Sequence, residues 1–237
     1  MGAEGRTSRM ANKMTNVKYV VCLPFRVKEF RDEFMNNCKL KNILEINNTV
    51  NNIGIMASHN LGIKKLYEDN ADWLIIMSAA IRFGDKGGLD IIEHLEKTDA
   101  QIVEGWQLYG WHLMAFRKDV INTVGGWDEN FTPYGYDDLD YSIRIKKAMP
   151  NIKWEKVVFD VSDTIMGHSV KLGGVRSNDN LLHQYFYNKW GQYPGGGHAV
   201  DQLYPTPFNL PDVDFKYCPK ENDKNHVSFI KKVRYEE

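Results

Sequence analysis

Short apolar runs alternate with helical stretches through the first 80 residues, and this alternation limits the possible folds more than any other feature. Residues 17–23 (VKYVVCL) are rich in β-branched side chains and stop at Pro24, the pattern of a buried strand. Residues 27–38 place Phe30, Phe34 and Cys38 four apart, which predicts an amphipathic helix. A second short strand is expected over 42–46, a helix over 55–70 and a third buried strand over 72–77 (DWLIIM). The order strand, helix, strand, helix, strand predicts an α/β domain with a mostly parallel sheet covered by helices.

In such sheets ligands bind beyond the carboxyl ends of the strands. Those ends fall at Pro24, Phe25 and Arg26, at Asn47 and Asn48, and at Ser78, Ala79 and Ala80. All three carry small or polar residues after an apolar run, so they are the expected edge of a ligand site. The second half predicts helices over 88–97, 118–124, 138–149 and 181–190, one or two strands within 101–116, and a strand over 153–161.

The expected domain therefore spans 17–193. Residues 1–16 are polar and lack the apolar stretch of a signal peptide, so they read as a disordered leader. Residues 194–237 turn to Pro, Gly, Asn and Asp and read as an extended tail or linker. A net charge of −1 gives no field that would draw the chain to nucleic acid or an anionic membrane. No run reaches the roughly 20 apolar residues of a membrane span. Cys22, Cys38 and Cys218 are odd in number and fit no zinc spacing, which suggests a reducing, cytosolic compartment.

The segment 125–144, GGWDENFTPYGYDDLDYSIR, carries the densest chemistry. Gly125 and Gly126 permit a tight backbone approach. Trp127 is a candidate to stack on the apolar face of a sugar. Asp137 and Asp138 open a helix, where the macrodipole favours carboxylates. The plainer reading makes Asp137 an N-cap and pairs Asp140 with Arg144 at i,i+4. Trp106, Tyr109, Trp111, Tyr134 and Tyr136 sit in mixed polar stretches and could wall an acceptor cleft, whereas Trp73, Trp154 and Phe159 read as core.

Gly-Gly-Trp-Asp-Glu-x-Phe, followed by Tyr-x-Tyr-Asp-Asp-x-Asp, resembles the acceptor-side segment of GT-A glycosyltransferases, nearest to family two and its rhamnosyltransferase-like relatives. The resemblance spans about residues 17–191. The run VVCLPFR is similar to the family's first strand and nucleotide-contacting turn, and Asn47-Asn48 to its Asp-Asn position. Residues 54–63, with His59 and Asn60, are similar to its donor-site segment, and Gly167-His168 to its late histidine. Lys189-Trp190-Gly191 resembles the Lys-Trp-Gly that ends the following helix.

The resemblance implies a GT-A, Rossmann-like fold with a mixed, mostly parallel central sheet. It also implies transfer of a hexose or deoxyhexose from a nucleoside diphosphate to a glycan hydroxyl. The catalytic carboxylates would be Asp138, as a base giving inversion or as a stabiliser of the developing cation permitting retention, and Asp137. The acceptor would meet Trp106, Gly126, Trp127 and Tyr136. Similarity to viral enzymes that build capsid glycans would further imply a UDP-sugar donor, a host-cytoplasmic setting and further domains beyond the tail.

One departure stands out. The family carries Asp-x-Asp after the third strand, because a hard divalent cation needs oxygen ligands to bridge to a diphosphate. Here that position reads Met77-Ser78-Ala79-Ala80. The expectation is a Mn²⁺- or Mg²⁺-assisted donor site using His168 and the Ser78 hydroxyl, or replacement of the metal by Lys171 and Arg176. Two rivals remain. A nucleotidyltransferase would need a glycine-rich loop after the first strand, and residues 24–28 contain no glycine. A non-enzymatic sugar- or nucleotide-binding module is favoured by the missing acids and opposed by Asp137, Asp138 and His168.

Overall fold

A computed structural model describes residues 17–108, 111–131, 135–163 and 179–190. The strands are β1 (Tyr19–Phe25), β2 (Ile43–Asn47), β3 (Trp73–Met77), β4 (Ile81–Phe83), β5 (Ile102–Gly105), β6 (Leu113–Arg117), β7 (Trp154–Val157) and β8 (Val161–Asp163). The helices are α1 (Lys28–Asn37), α2 (Ile55–Glu68), α3 (Leu89–Leu95), α4 (Lys118–Val124), α5 (Asp137–Ala148) and α6 (Asp179–Trp190), with a 3₁₀ turn at Glu129–Phe131. Six strands form one sheet in the order β2-β1-β3-β6-β5-β7, and β4 pairs with β8 in a small ribbon.

β1 runs parallel to β2 and β3, and β5 runs parallel to β7. β6 alone is antiparallel to both of its neighbours, β3 and β5. The sheet is therefore mixed but mostly parallel, as the alternation predicts, with one reversed strand that the apolar pattern of 101–116 does not disclose.

Strand side chains alternate between two cores because successive residues point to opposite faces. Val20, Cys22, Leu74, Ile76, Ile102, Met114 and Phe116 face one core with residues of α2, α4, α5 and α6. Val21, Leu23, Trp73, Ile75, Met77, Val103 and Ala115 face the other with residues of α1 and α3. β3 is buried at all five positions, which is why its sequence is a continuous apolar run. Among the described residues no helix is long and apolar enough to cross a membrane.

The strand expected over 153–161 is split into β7 and β8. Asp160 explains the break: its N–H donates to Asp90 Oδ2 at 2.7 Å, and its own Oδ2 accepts from Lys86 N–H at 2.9 Å. These bonds turn the chain out of the sheet and hand β8 to β4. The three-residue β4 is too short for any period to reveal it.

Gly62 marks the closest approach of α2 to the sheet. A Cβ placed there would lie 2.9 Å from Cys22 Cβ and 3.1 Å from Leu74 Cδ1. The packed strand side chains have little room to yield, so the added methyl overpacks this face. Gly62→Ala should cost about 1–3 kcal/mol despite its better helix propensity, read as a lower midpoint in urea unfolding.

Candidate active site

Helix direction sets which end of the sheet each side chain occupies. Lys118 N–H donates to Asp72 O at 2.8 Å, so α4 starts at the amino end of β3. Beyond α5, Gln101 N–H donates to Lys153 O at 3.0 Å, at the amino ends of β5 and β7. α5 therefore runs down toward that edge, and its first residues, Asp137 and Asp138, lie on the side where β1, β2, β3, β5 and β7 end.

Tyr136 enters α5 with φ 61°, a left-handed backbone that is costly for a residue with a Cβ. Gly135, at φ 117°, precedes it and donates its N–H to Asp137 Oδ1 at 3.0 Å. Asp138 Oδ1 accepts from Leu139 N–H at 2.8 Å. Neither carboxylate is the helix's N-cap residue, so the simple capping reading of Asp137 does not hold. Desolvation and the neighbouring charge of Asp138 push the Asp137 carboxyl up to about 7. The Asp137 carboxyl at this helix end is thus partly protonated near neutrality, with the Asp138 charge contributing to that shift.

Below this pair lies a buried charge network absent from the sequence reading. Lys189 Nζ sits 2.6 Å from Asp128 Oδ2 and 2.7 Å from Asp140 Oδ1, with all three side chains 1–2% exposed. Arg144 lies 3.6 Å from Asp140, the i,i+4 pair expected from the sequence, and donates to Gly126 O and Val124 O. Tyr185 OH donates to Asp128 Oδ2 at 2.7 Å, and Trp190 Nε1 to Asp140 Oδ1 at 3.0 Å. Burial pushes the Asp128 carboxyl up, but the Lys189 charge and hydrogen bond, with Tyr185 and Asn130, outweigh it and hold it at about 2. The signal in the sequence is Lys-Trp-Gly itself, which by pattern alone reads only as the end of a helix.

Several expected ligand contacts turn out to be internal. Trp127 is fully buried and stacks on Tyr141 at 4.1 Å with a 9° interplanar angle, so it has no face to offer a sugar. Gly126 spends its carbonyl on Arg144. Asn60 accepts from Trp127 N–H and donates to Trp127 O and Glu129, clamping α2 to the Gly-Gly-Trp-Asp loop rather than reaching a donor. Asn48 is buried, donating to Ser58 Oγ and accepting from Ile53 N–H. His59 is 7% exposed and packs edge-on to Trp127 at 4.9 Å. Burial lowers its pKa to about 3, so it is a neutral core residue. Tyr136 is half-buried, its hydroxyl 3.2 Å from His183 Nδ1.

Other expected residues do line the carboxyl edge. Pro24 and Phe25 close β1, and Arg26 follows them exposed. Asn47 is exposed, with Oδ1 accepting from Thr49 N–H at 2.9 Å. Trp106 follows β5 and is 54% exposed, with Lys156 Nζ 4.1 Å from its ring centre. Ser78, Ala79 and Ala80 form a tight turn in which Ser78 Oγ accepts from Ala80 N–H at 3.1 Å. Arg82 braces that turn, donating to Ala79 O and Ile81 O at 2.9 Å and pairing with Glu33.

His168, Lys171 and Arg176 lie outside the described residues. Among the described residues no group of three or more His, Cys, Asp or Glu converges to hold an ion. Ser78 offers a single neutral hydroxyl already engaged in a turn. A hard cation takes several oxygen ligands, so this described donor set does not fit Mn²⁺ or Mg²⁺.

The sequence matches no protein-family model and no curated protein. Among solved structures it is similar to the mannosyltransferase PcManGT from Pyrobaculum calidifontis in complex with GDP-Man and Mn2+. The identity is 10% and the TM-score 0.44, and the match covers 60% of this chain and 55% of that one.

The raised Asp137 pKa has a consequence for stability. A carboxyl that ionises late in the folded state stabilises the fold below about pH 4 and loses that contribution as pH rises through about 7. Asp137→Asn removes the loss and keeps an acceptor for Gly135. Its Tm should exceed the parent's by about 2–4 °C at pH 8, and the gain should vanish near pH 4, measured by calorimetry.

Proposed function

We propose that this chain is a nucleotide-sugar-dependent glycosyltransferase that moves a hexose or deoxyhexose from a UDP-sugar to a glycan hydroxyl. The observation that carries the reading is the Asp137–Asp138 pair, half-buried at the head of α5 on the edge where the parallel strands end. A group that exchanges protons works best when its proton affinity lies near the working pH, and the Asp137 carboxyl beside Asp138 meets that condition.

In this reading the acceptor hydroxyl oxygen attacks the anomeric carbon as the bond from that carbon to the diphosphate oxygen breaks. The hydroxyl proton passes to Asp138, and the nucleoside diphosphate leaves with the bonding electrons. The transition state has oxocarbenium character, so a nearby carboxylate also stabilises the sugar. Charge on the leaving diphosphate needs cationic partners. Exposed Arg26 at the end of β1 is one, and Lys171 and Arg176 are proposed as others. The open face of Trp106 suits an acceptor ring. No step is assigned to a metal.

The turn at Ser78–Ala80 favours a second reading, a sugar- or nucleotide-binding module, because it carries no acid where a metal-assisted transferase would use one. A donor-hydrolysis assay separates the two, since only an enzyme releases UDP from a UDP-sugar over time. For the transferase, Asp138→Asn should lower transfer about a hundred-fold or more while UDP affinity by calorimetry changes little. Full transfer by that variant would reject the assignment.

A further inference from the structure

The charges around the upper half of α5 form a connected chain across three segments. Asp137 and Asp140 are three residues apart, so they meet on one helix face. Asp140 in turn faces Arg144 on α5 and Lys189 on α6, and Lys189 also faces Asp128 beside the 3₁₀ turn. α6 contributes Tyr185 against Asp128 and His183 against Tyr136, and Lys147 of α5 lies over the Trp190 ring. Asp128, Asp140, Arg144 and Lys189 are two anions and two cations, each 1–2% exposed, so their charges cancel only while all four are present. Water is excluded from the network, so an imbalance there would act on Asp137 with little damping.

We propose that Lys189 is a positioning residue for the Asp137–Asp138 pair: buried between Asp128 and Asp140, its ammonium cancels the carboxylate that faces Asp137 along the same helix and so sets the protonation state in which the pair meets an acceptor. This rests on the reading of the pair as the site's proton acceptor. It gives the helix after the late-histidine segment a part in the chemistry without contact with substrate. It also makes opposite predictions for two neighbouring substitutions. Loss of the Lys189 charge leaves one net negative charge below the pair, which then holds its proton more tightly. Loss of the Asp140 charge leaves one net positive charge, and the pair releases its proton more readily.

The test uses the full chain with ¹³C-labelled aspartate, as parent, Lys189→Met and Asp140→Asn. Carboxyl-carbon shifts are followed against pH, and UDP release from a UDP-sugar in the presence of acceptor is followed over the same range. The titration of the pair should move up by about 0.5 or more in Lys189→Met and down by a similar amount in Asp140→Asn. The acid limb of the rate profile should follow in each case. A merely structural role would lower the rate equally at every pH and leave the titration where it was, which would overturn the inference. If Lys189→Met does not fold, Lys189→Gln, which removes the charge but keeps hydrogen-bond donors for Asp128 and Asp140, decides the matter by the same upward shift. Should the titrations move as expected while no variant, nor the parent, releases UDP, the electrostatic role of Lys189 stands and the transferase reading falls.

Discussion

Taking Lys189 out of water beside two carboxylates is favourable only if every charge in the group finds a partner. Desolvation of each ion costs several kcal/mol, which close pairing must offset. Asp128, Asp140 and Arg144 supply that pairing, with Tyr185 and Trp190 satisfying further carboxylate oxygens. Removing one member of such a group typically costs about 3–5 kcal/mol because it strands a buried charge. The geometry of the network is correspondingly narrow. It fixes α6 against α5 and the 3₁₀ turn, and through Arg144 it fixes the Gly126 carbonyl of the Gly-Gly-Trp-Asp loop and the Val124 carbonyl at the end of α4. The head of α5, with its strained Tyr136 and its two carboxylates, is held from below by this arrangement.

Around it the aromatic residues act as a second frame. Trp127 stacks flat on Tyr141 and meets Phe116 edge-on at 5.5 Å. Asn60 then ties the backbone of Trp127 to α2. The conspicuous Gly-Gly-Trp-Asp motif thereby acts as a joint between helices. Its buried tryptophan and the Gly126 carbonyl, held by Arg144, shape the ground on which Asp137 and Asp138 stand.

The layout of the sheet was legible because its strands are long enough to show a pattern and its buried centre is strongly apolar. β1, β2, β3 and all six helices lie close to their expected ranges. β4 and β8 were not legible, since three residues carry no period, and the reversal of β6 was not, since pairing direction leaves no trace in composition. At the edge, position was legible but role was not. Asn48, His59 and Asn60 follow or adjoin the right strand ends, yet their side chains turn inward, a choice made by packing and hydrogen-bond partners distant in sequence. Lys189 shows the same limit in reverse: a lysine near a helix end reads as a solvated charge until a folded partner 61 residues away claims it.

The reversed direction of β6 has a consequence for the opening of the cleft. Its neighbours finish at that rim, whereas β6 begins there, so the end of β5 and the start of β6 meet at one rim, with β6 descending between β3 and β5. Trp106 after β5 and His112 before β6 therefore stand on the same rim as Ser78 after β3, whose N–H donates to His112 O. Exposed side chains at strand ends, such as Trp106, can change while the sheet beneath stays as it is. Related chains could therefore come to accept different partners by altering this rim alone.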